Sequence, residues 1–161
     1  FIRQNKKKVN WKSISKKTYL SESFLIEFKD FLYWDYVCVN AKLSESFMRT
    51  YSSILNWDLI SKYQTLSESF IEENSDKINW DYISDFQKLS GDFMIKFSHN
   101  LNWLFMYQKQ EIPENVIEMF SDKVDWDWVS KYQKLSLEFI NKHKDKINMV
   151  YIVENEFYKN L

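Results

Sequence analysis

The stretch "INWDYISDFQKLSGDF", residues 78–93, decides the fold. Residues 55–70 read "LNWDLISKYQTLSESF", and residues 124–139 read "VDWDWVSKYQKLSLEF". The tryptophans set the spacing. Trp11, Trp34, Trp57, Trp80, Trp103 and Trp126 follow one another at intervals of 23, Met149 takes the next place, and only Trp128 stands off the period. With this Trp as slot 1, slot 4 holds Ile14, Val37, Ile60, Ile83, Met106, Val129 and Ile152. Slot 10 holds Leu or Ile, and slot 14 holds Phe except at Val116. A fixed period between 20 and 50 residues is the mark of a stacked array.

The spacing predicts an all-α protein, an α-solenoid of two-helix 23-residue tandem repeats, in a single domain over 1–161. Full repeats fall at 11–33, 34–56, 57–79, 80–102, 103–125 and 126–148, with a partial repeat at 1–10 and a partial, capping repeat at 149–161. Phe1 and Ile2 fit slots 14 and 15, so the chain is expected to be a piece of a longer array. Val150 at slot 2 and Glu156 at slot 8 break the pattern, which predicts a capping role for the last repeat.

Within a repeat the helix starts are legible. Slot 23 holds Asn10, Asn56, Asn79, Asn102, Asp125 or Asn148, whose side-chain oxygens suit an N-cap; Tyr33 is the exception. Asp35, Asp58, Asp81 and Asp127 follow at slot 2, where a carboxylate suits the positive helix end. Slot 11 holds Ser21, Ser44, Ser67, Ser90 or Ser136, usually followed by Glu, and marks a second start; Pro113 replaces the Ser once and is tolerated there. Neither helix is long enough to stand alone in water, so each repeat must bury its apolar face on its neighbours. The Trp column (Trp11, Trp34, Trp57, Trp80, Trp103 and Trp126) is expected to be structural core.

Apolar residues make up 45% and charged residues 28%, enough for a sizeable core. One Gly and one Pro leave no room for a Gly-rich phosphate loop. A net charge of −1 gives no global field toward nucleic acid or membrane. No apolar run reaches membrane-spanning length and no signal peptide is visible, so the expectation is a cytoplasmic protein with no membrane partner.

The phrases "WDLISKYQTLSESFIEENSDKINWD" (57–81) and "WDWVSKYQKLSLEFINKHKDKINM" (126–149) resemble the tandem Trp-containing helical repeats of predicted proteins from giant DNA viruses and some phages. The resemblance covers nearly the whole chain. The first repeat (Lys12, Lys17, Thr18) and the fifth (Leu104, Tyr107, Pro113, Val116) depart from it. It implies a viral protein acting as a binding scaffold in the host cell, and no chemistry.

No catalytic constellation is expected. Ser61 with Gln64, Ser84 with Gln87 and Ser130 with Gln133 recur without a neighbouring base, and read as a polar ladder between repeats. His99 and His143 are the only histidines, and with Cys38 they make no zinc ligand set, so no metal and no cofactor is expected. Slot 3 carries Tyr36, Leu59, Tyr82, Phe105, Trp128 and Tyr151, a row of aromatics suited to protein binding. The candidate protein-binding residues are Tyr36, Tyr82, Phe105, Gln108, Lys109 and Trp128. Arg3, Lys6, Lys7, Lys8, Lys12, Lys16 and Lys17 form a basic patch, which leaves nucleic-acid binding as an alternative. A structural role in a virion or assembly is the third expectation, behind a protein–protein interaction scaffold.

Overall fold

Each period of 23 resolves into two short helices in a computed structural model that describes residues 2–158. Phe1, which the sequence assigns to slot 14, and residues 159–161 lie outside the described residues. The helices are α1 (Trp11–Ser15), α2 (Glu22–Glu27), α3 (Trp34–Asn40), α4 (Glu45–Thr50), α5 (Trp57–Tyr63), α6 (Glu68–Glu73), α7 (Trp80–Phe86), α8 (Gly91–Lys96), α9 (Trp103–Lys109), α10 (Glu114–Met119), α11 (Trp126–Tyr132), α12 (Leu137–Lys142) and α13 (Met149–Glu154). Odd-numbered helices begin at slot 1 and are called A helices; even-numbered ones begin at slot 12 and are B helices. There is no strand among the described residues.

The chain divides into two compact units, Phe1–Asn79 and Trp80–Leu161. In the first, α1 packs on α3 and α3 on α5. In the second, α7 packs on α9, α9 on α11, α11 on α13, and α8 on α10. Each unit is thus a stretch of α-solenoid in which successive A helices stack. The core is made of slots 4, 10, 14 and 15: Ile60, Leu66, Phe70 and Ile71 in the third repeat, Ile83, Leu89, Phe93 and Met94 in the fourth. Slot 22, which the sequence reading does not single out, adds Leu32, Leu55, Ile78, Leu101 and Ile147.

The Trp column corrects the sequence reading. Only Trp11 is buried; Trp34, Trp57, Trp80, Trp103 and Trp126 are half-buried. The reason is the indole N–H, which must reach a polar partner. It donates to the carbonyl five residues back: Trp11 to Lys6 (2.8 Å), Trp34 to Lys29 (3.1 Å), Trp57 to Ser52 (3.1 Å), Trp103 to Ser98 (2.9 Å) and Trp126 to Ser121 (2.9 Å). The rings lie at the rim, over the turn between repeats, and shield the aromatics of slots 14 and 18, as Trp11 does Phe28 and Trp57 does Phe70.

Helix C-termini pose the harder problem. Helices commonly end on a left-handed Gly or Asn that satisfies the last carbonyls. This chain has one Gly, and no described residue has a positive φ. The slot-8 glutamine of the following repeat does the work instead. Gln64 donates to the carbonyls of Cys38 (2.7 Å) and Ala41 (2.8 Å), and accepts from the Leu43 N–H (3.0 Å). Gln133 repeats this with Tyr107 (2.6 Å), Gln110 (2.9 Å) and Ile112 (2.8 Å). In the last repeat the work is shared. Asn155 donates to Ser130 and Gln133 (2.9 Å each), and the Tyr158 hydroxyl accepts from the Leu135 N–H. Where slot 8 holds Ala41, which has nothing to donate, the preceding helix α1 is only five residues long.

Two further ladders fix the N-termini. The slot-5 hydroxyl donates back to the slot-1 carbonyl and accepts from the N–H of the next N-cap residue: Ser15 from Tyr33, Ser61 from Asn79, Ser84 from Asn102, Ser130 from Asn148. The slot-2 Asp accepts from the side chain of that same Asn, at 2.8 Å for Asp58, Asp81 and Asp127 and 3.2 Å for Asp35. The slot-2 carboxylate therefore anchors the next A helix as well as serving its own helix end. In the fifth repeat, Leu104 replaces the slot-2 Asp and the N-cap is Asp125, whose side chain has no N–H to give; the two departures match each other.

The B helices show the same logic. Glu22 accepts from the Ser44 N–H, Glu45 from Ser67, and Glu114 from Ser136. In the fourth repeat this Glu becomes Gly91, and the facing residue is Pro113, which lacks an N–H. A Cβ on Gly91 would sit 3.2 Å from Pro113 Cγ and 3.3 Å from Val116 Cγ2. The chain's only Gly makes room for its only Pro.

Candidate protein-binding surface

Slots 3 and 7 are about one helical turn apart, and the slot-7 side chains of α5, α7 and α9 (Tyr63, Phe86 and Lys109) are exposed. The slot-4 and slot-5 residues bury themselves, which leaves slot 3 at the edge of the core. Tyr36, Leu59, Tyr82, Phe105, Trp128 and Tyr151 are all half-buried. Slot 7 is more open: Tyr63 and Phe86 are about half exposed (48% and 49%). Tyr82 and Phe86 meet at 6.1 Å on α7; Trp128 stacks on Tyr132 at 5.1 Å on α11.

The second unit brings most of the predicted binding residues to one face. Tyr82, Phe105 and Trp128 sit at the same slot of three stacked helices, α7, α9 and α11. Exposed Gln108 and Lys109 line a shallow hollow of about 560 Å³ with Lys131 and Tyr132. Trp128 lines another, of about 190 Å³, with Asp125, Asp127, Lys131 and Tyr151. Tyr36 belongs to the other unit, in a hollow with Lys12, Tyr33, Trp34 and Asp35.

In two repeats the preceding A helix sets a slot-6 lysine over the slot-3 ring. Lys16 places its ammonium over the Tyr36 ring, 4.7 Å from the centroid, and Lys131 does the same to Tyr151 at 5.5 Å. In both cases the lysine stands at slot 6 of the preceding repeat. The slot-6 residues of the repeats preceding Phe105 and Trp128 are Asp85 and Gln108.

All seven residues of the basic patch are exposed, and Arg3, Lys6, Lys12 and Lys16 also make contacts within the unit. Arg3 pairs with Glu27 through its Nε at 2.7 Å, and that hydrogen bond draws the Glu27 carboxyl below its ordinary range. Lys6 lies over Phe28 and Phe31, and Lys12 over Tyr36. Lys7, Lys8 and Lys17 are exposed.

The groups considered for chemistry are dispersed. Cys38 is buried, and burial pushes its thiol up to about 11. His99 is exposed in the turn after α8. His143 packs with its ring tilted against Phe139 and Trp126; its Nε2, 3.9 Å from Glu118, has no hydrogen-bond partner. No group of three or more His, Cys, Asp or Glu capable of holding a metal occurs among the described residues. No described helix is long and apolar enough to cross a membrane.

The fifth repeat holds a cavity that no single column of the sequence announces. Val116 replaces the slot-14 Phe, and Tyr107 replaces the slot-5 Ser. Tyr107 lines a hollow of about 280 Å³ with Trp103, Phe120 and Val124. The Tyr107 hydroxyl keeps the ladder by accepting from the Asp125 N–H at 3.3 Å.

No protein-family model matches this chain, and neither a curated protein nor a solved structure matches it.

Proposed function

We propose that the protein is a non-enzymatic scaffold that binds another protein through the outward face of its A helices, centred in the second unit on Tyr82, Phe105 and Trp128. What carries the reading is the alignment of these half-exposed rings at one slot of three stacked helices. The buried ladders and the Trp column are occupied with holding repeats together. Slots 3, 6 and 7 vary, and in a stacked array the varying surface positions are those free to specify a partner. Tyr and Trp dominate interface energetics. Under the resemblance to viral repeat proteins, the partner class is a host or defence protein.

Trp128→Ala tests the proposal by two measurements, melting temperature and affinity for a partner recovered by affinity capture. Lost affinity with an unchanged melt supports it. A lowered melt with intact affinity returns slot 3 to packing between repeats.

A further inference from the structure

Within each unit, a slot-3 ring accepts a cation where slot 6 of the preceding A helix supplies one. In the first unit, Lys16 covers Tyr36; in the second, Lys131 covers Tyr151. Phe105 and Trp128 stand apart. Asp85 and Gln108 occupy the place of the lysine, and no described cation lies over either ring. Lys131, the nearest basic residue along α11, is committed to Tyr132 and Tyr151. Asp125 and Asp127, at the start of α11, line the Trp128 hollow together with Lys131, and Asp85 on α7 holds slot 6 of the repeat before Phe105.

From this contrast between repeats we infer that Phe105 and Trp128 receive a basic segment of a partner protein, its Lys or Arg side chains taking the place that the chain's own lysine holds over Tyr36 and Tyr151. The inference rests on the scaffold reading and gives the partner its chemistry. Trp is the best cation-binding ring, and the attraction grows once the pair is desolvated. Asp85, Asp125 and Asp127 supply the opposite charge, which steers encounter and rejects acidic partners. A lysine at slot 6 would have satisfied these rings internally, as it does for Tyr36 and Tyr151.

The test begins with a phage-displayed library of random 12-residue peptides, panned on the full chain. Selected peptides are titrated into ¹⁵N-labelled protein. The expected peptides are rich in Arg and Lys, and they shift the Trp128 indole resonance and the amides of Asp85, Phe105 and Gln108. Gln108→Lys, on an exposed position, rebuilds the internal cation over Trp128. It should leave the melting temperature unchanged and weaken peptide affinity about five- to tenfold. Replacing each Arg of a selected peptide by neutral citrulline should weaken binding comparably. Neutral or acidic peptides that still move Trp128 overturn the basic-partner inference and leave the scaffold reading standing. Binding that bypasses Trp128 and Phe105, or no selected peptide at all, overturns both. Concentration-dependent broadening of these resonances before any peptide is added would assign the face to a second copy of the chain and overturn the inference as well.

Discussion

Replacing Gln133 by Leu keeps the side chain's bulk and deletes its polar end. Gln133 is 2% exposed. Its amide closes three hydrogen bonds at once, to the carbonyls of Tyr107 and Gln110 and from the N–H of Ile112. These belong to the end of α9 and the turn after it, a place with no left-handed residue to satisfy them otherwise. Each buried backbone group left without a partner costs about 1–3 kcal/mol. Carbonyls tolerate this better than N–H groups, and the stack can relax. The low end applies, for a total of roughly 3–4 kcal/mol. That is a large share of the roughly 5–15 kcal/mol typical of a folded domain. For a chain of this length it corresponds to a fall in Tm of about 10 °C. Urea denaturation followed by far-ultraviolet circular dichroism, with Lys134→Leu on the exposed neighbour as control, measures it. A Gln133→Leu variant as stable as the parent, within the error of the fit, would refute the idea that these amides terminate the A helices.

Other expectations follow from the same contacts. The double variant Gly91→Glu with Pro113→Ser should rebuild the carboxylate-to-N–H bond seen in neighbouring repeats, so a double-mutant cycle should show favourable coupling of about 1–2 kcal/mol; additive singles would count against the pairing. Trp103→Phe keeps one aromatic ring and loses the other with the indole bond to the Ser98 carbonyl, costing about 1–2 kcal/mol, whereas Trp103→Ala should cost about 2–4 kcal/mol, below a fully buried Trp; calorimetry separates the two. Because burial raises the Cys38 thiol to about 11, the fold holds its proton more tightly than the unfolded chain does. That contribution is whole below about pH 8.5 and fades as pH rises toward 11, and labelling by a thiol reagent at pH 8 should wait on unfolding; immediate reaction would contradict the burial. Nucleic-acid binding, if measured, should be weak and abolished by neutralising Lys6, Lys7, Lys8, Lys12, Lys16 and Lys17; an unchanged salt slope in that variant would place phosphate contacts elsewhere.

The period, the two-helix repeat and the caps at Asn56, Ser67 and their equivalents are legible in the sequence because apolar spacing and capping chemistry act locally. Trp exposure is not, since a large ring recurring beside Ile and Leu reads as core until its N–H is given a destination. The carbonyls that Gln64 and Gln133 bind leave no trace in side-chain identity. The pairing of Leu104 with Asp125, and of Gly91 with Pro113, is visible in principle as coincident departures. So is the slot-6 lysine one repeat ahead of Tyr36 and of Tyr151. Comparing slots down their columns passes over all of these, because each relation runs between neighbouring repeats. Slot variation alone points to Tyr82, Phe105 and Trp128; only the packing of α7, α9 and α11 brings them onto one face.

The Glu-to-Ser bonds between adjacent B helices make the array behave like a row of dominoes, each tile constrained by the number on the next. Excising residues 34–56 would bring Glu22 against Ser67, a legal join, and Gln64 would inherit carbonyls to cap at the end of α1. Excising 103–125 would bring Gly91 against Ser136, whose N–H now bonds Glu114 and would lose its carboxylate. Both deletions remove one whole repeat and neither shifts the period, yet the first should fold and the second should be the less stable. Gain or loss of repeats is thereby restricted to certain joints, and an array of this kind can lengthen by copying a repeat such as 34–56, whose Ser44 meets Glu22 before it and whose Glu45 meets Ser67 after it, but not one such as 80–102, whose Gly91 would face the Ser of its own copy.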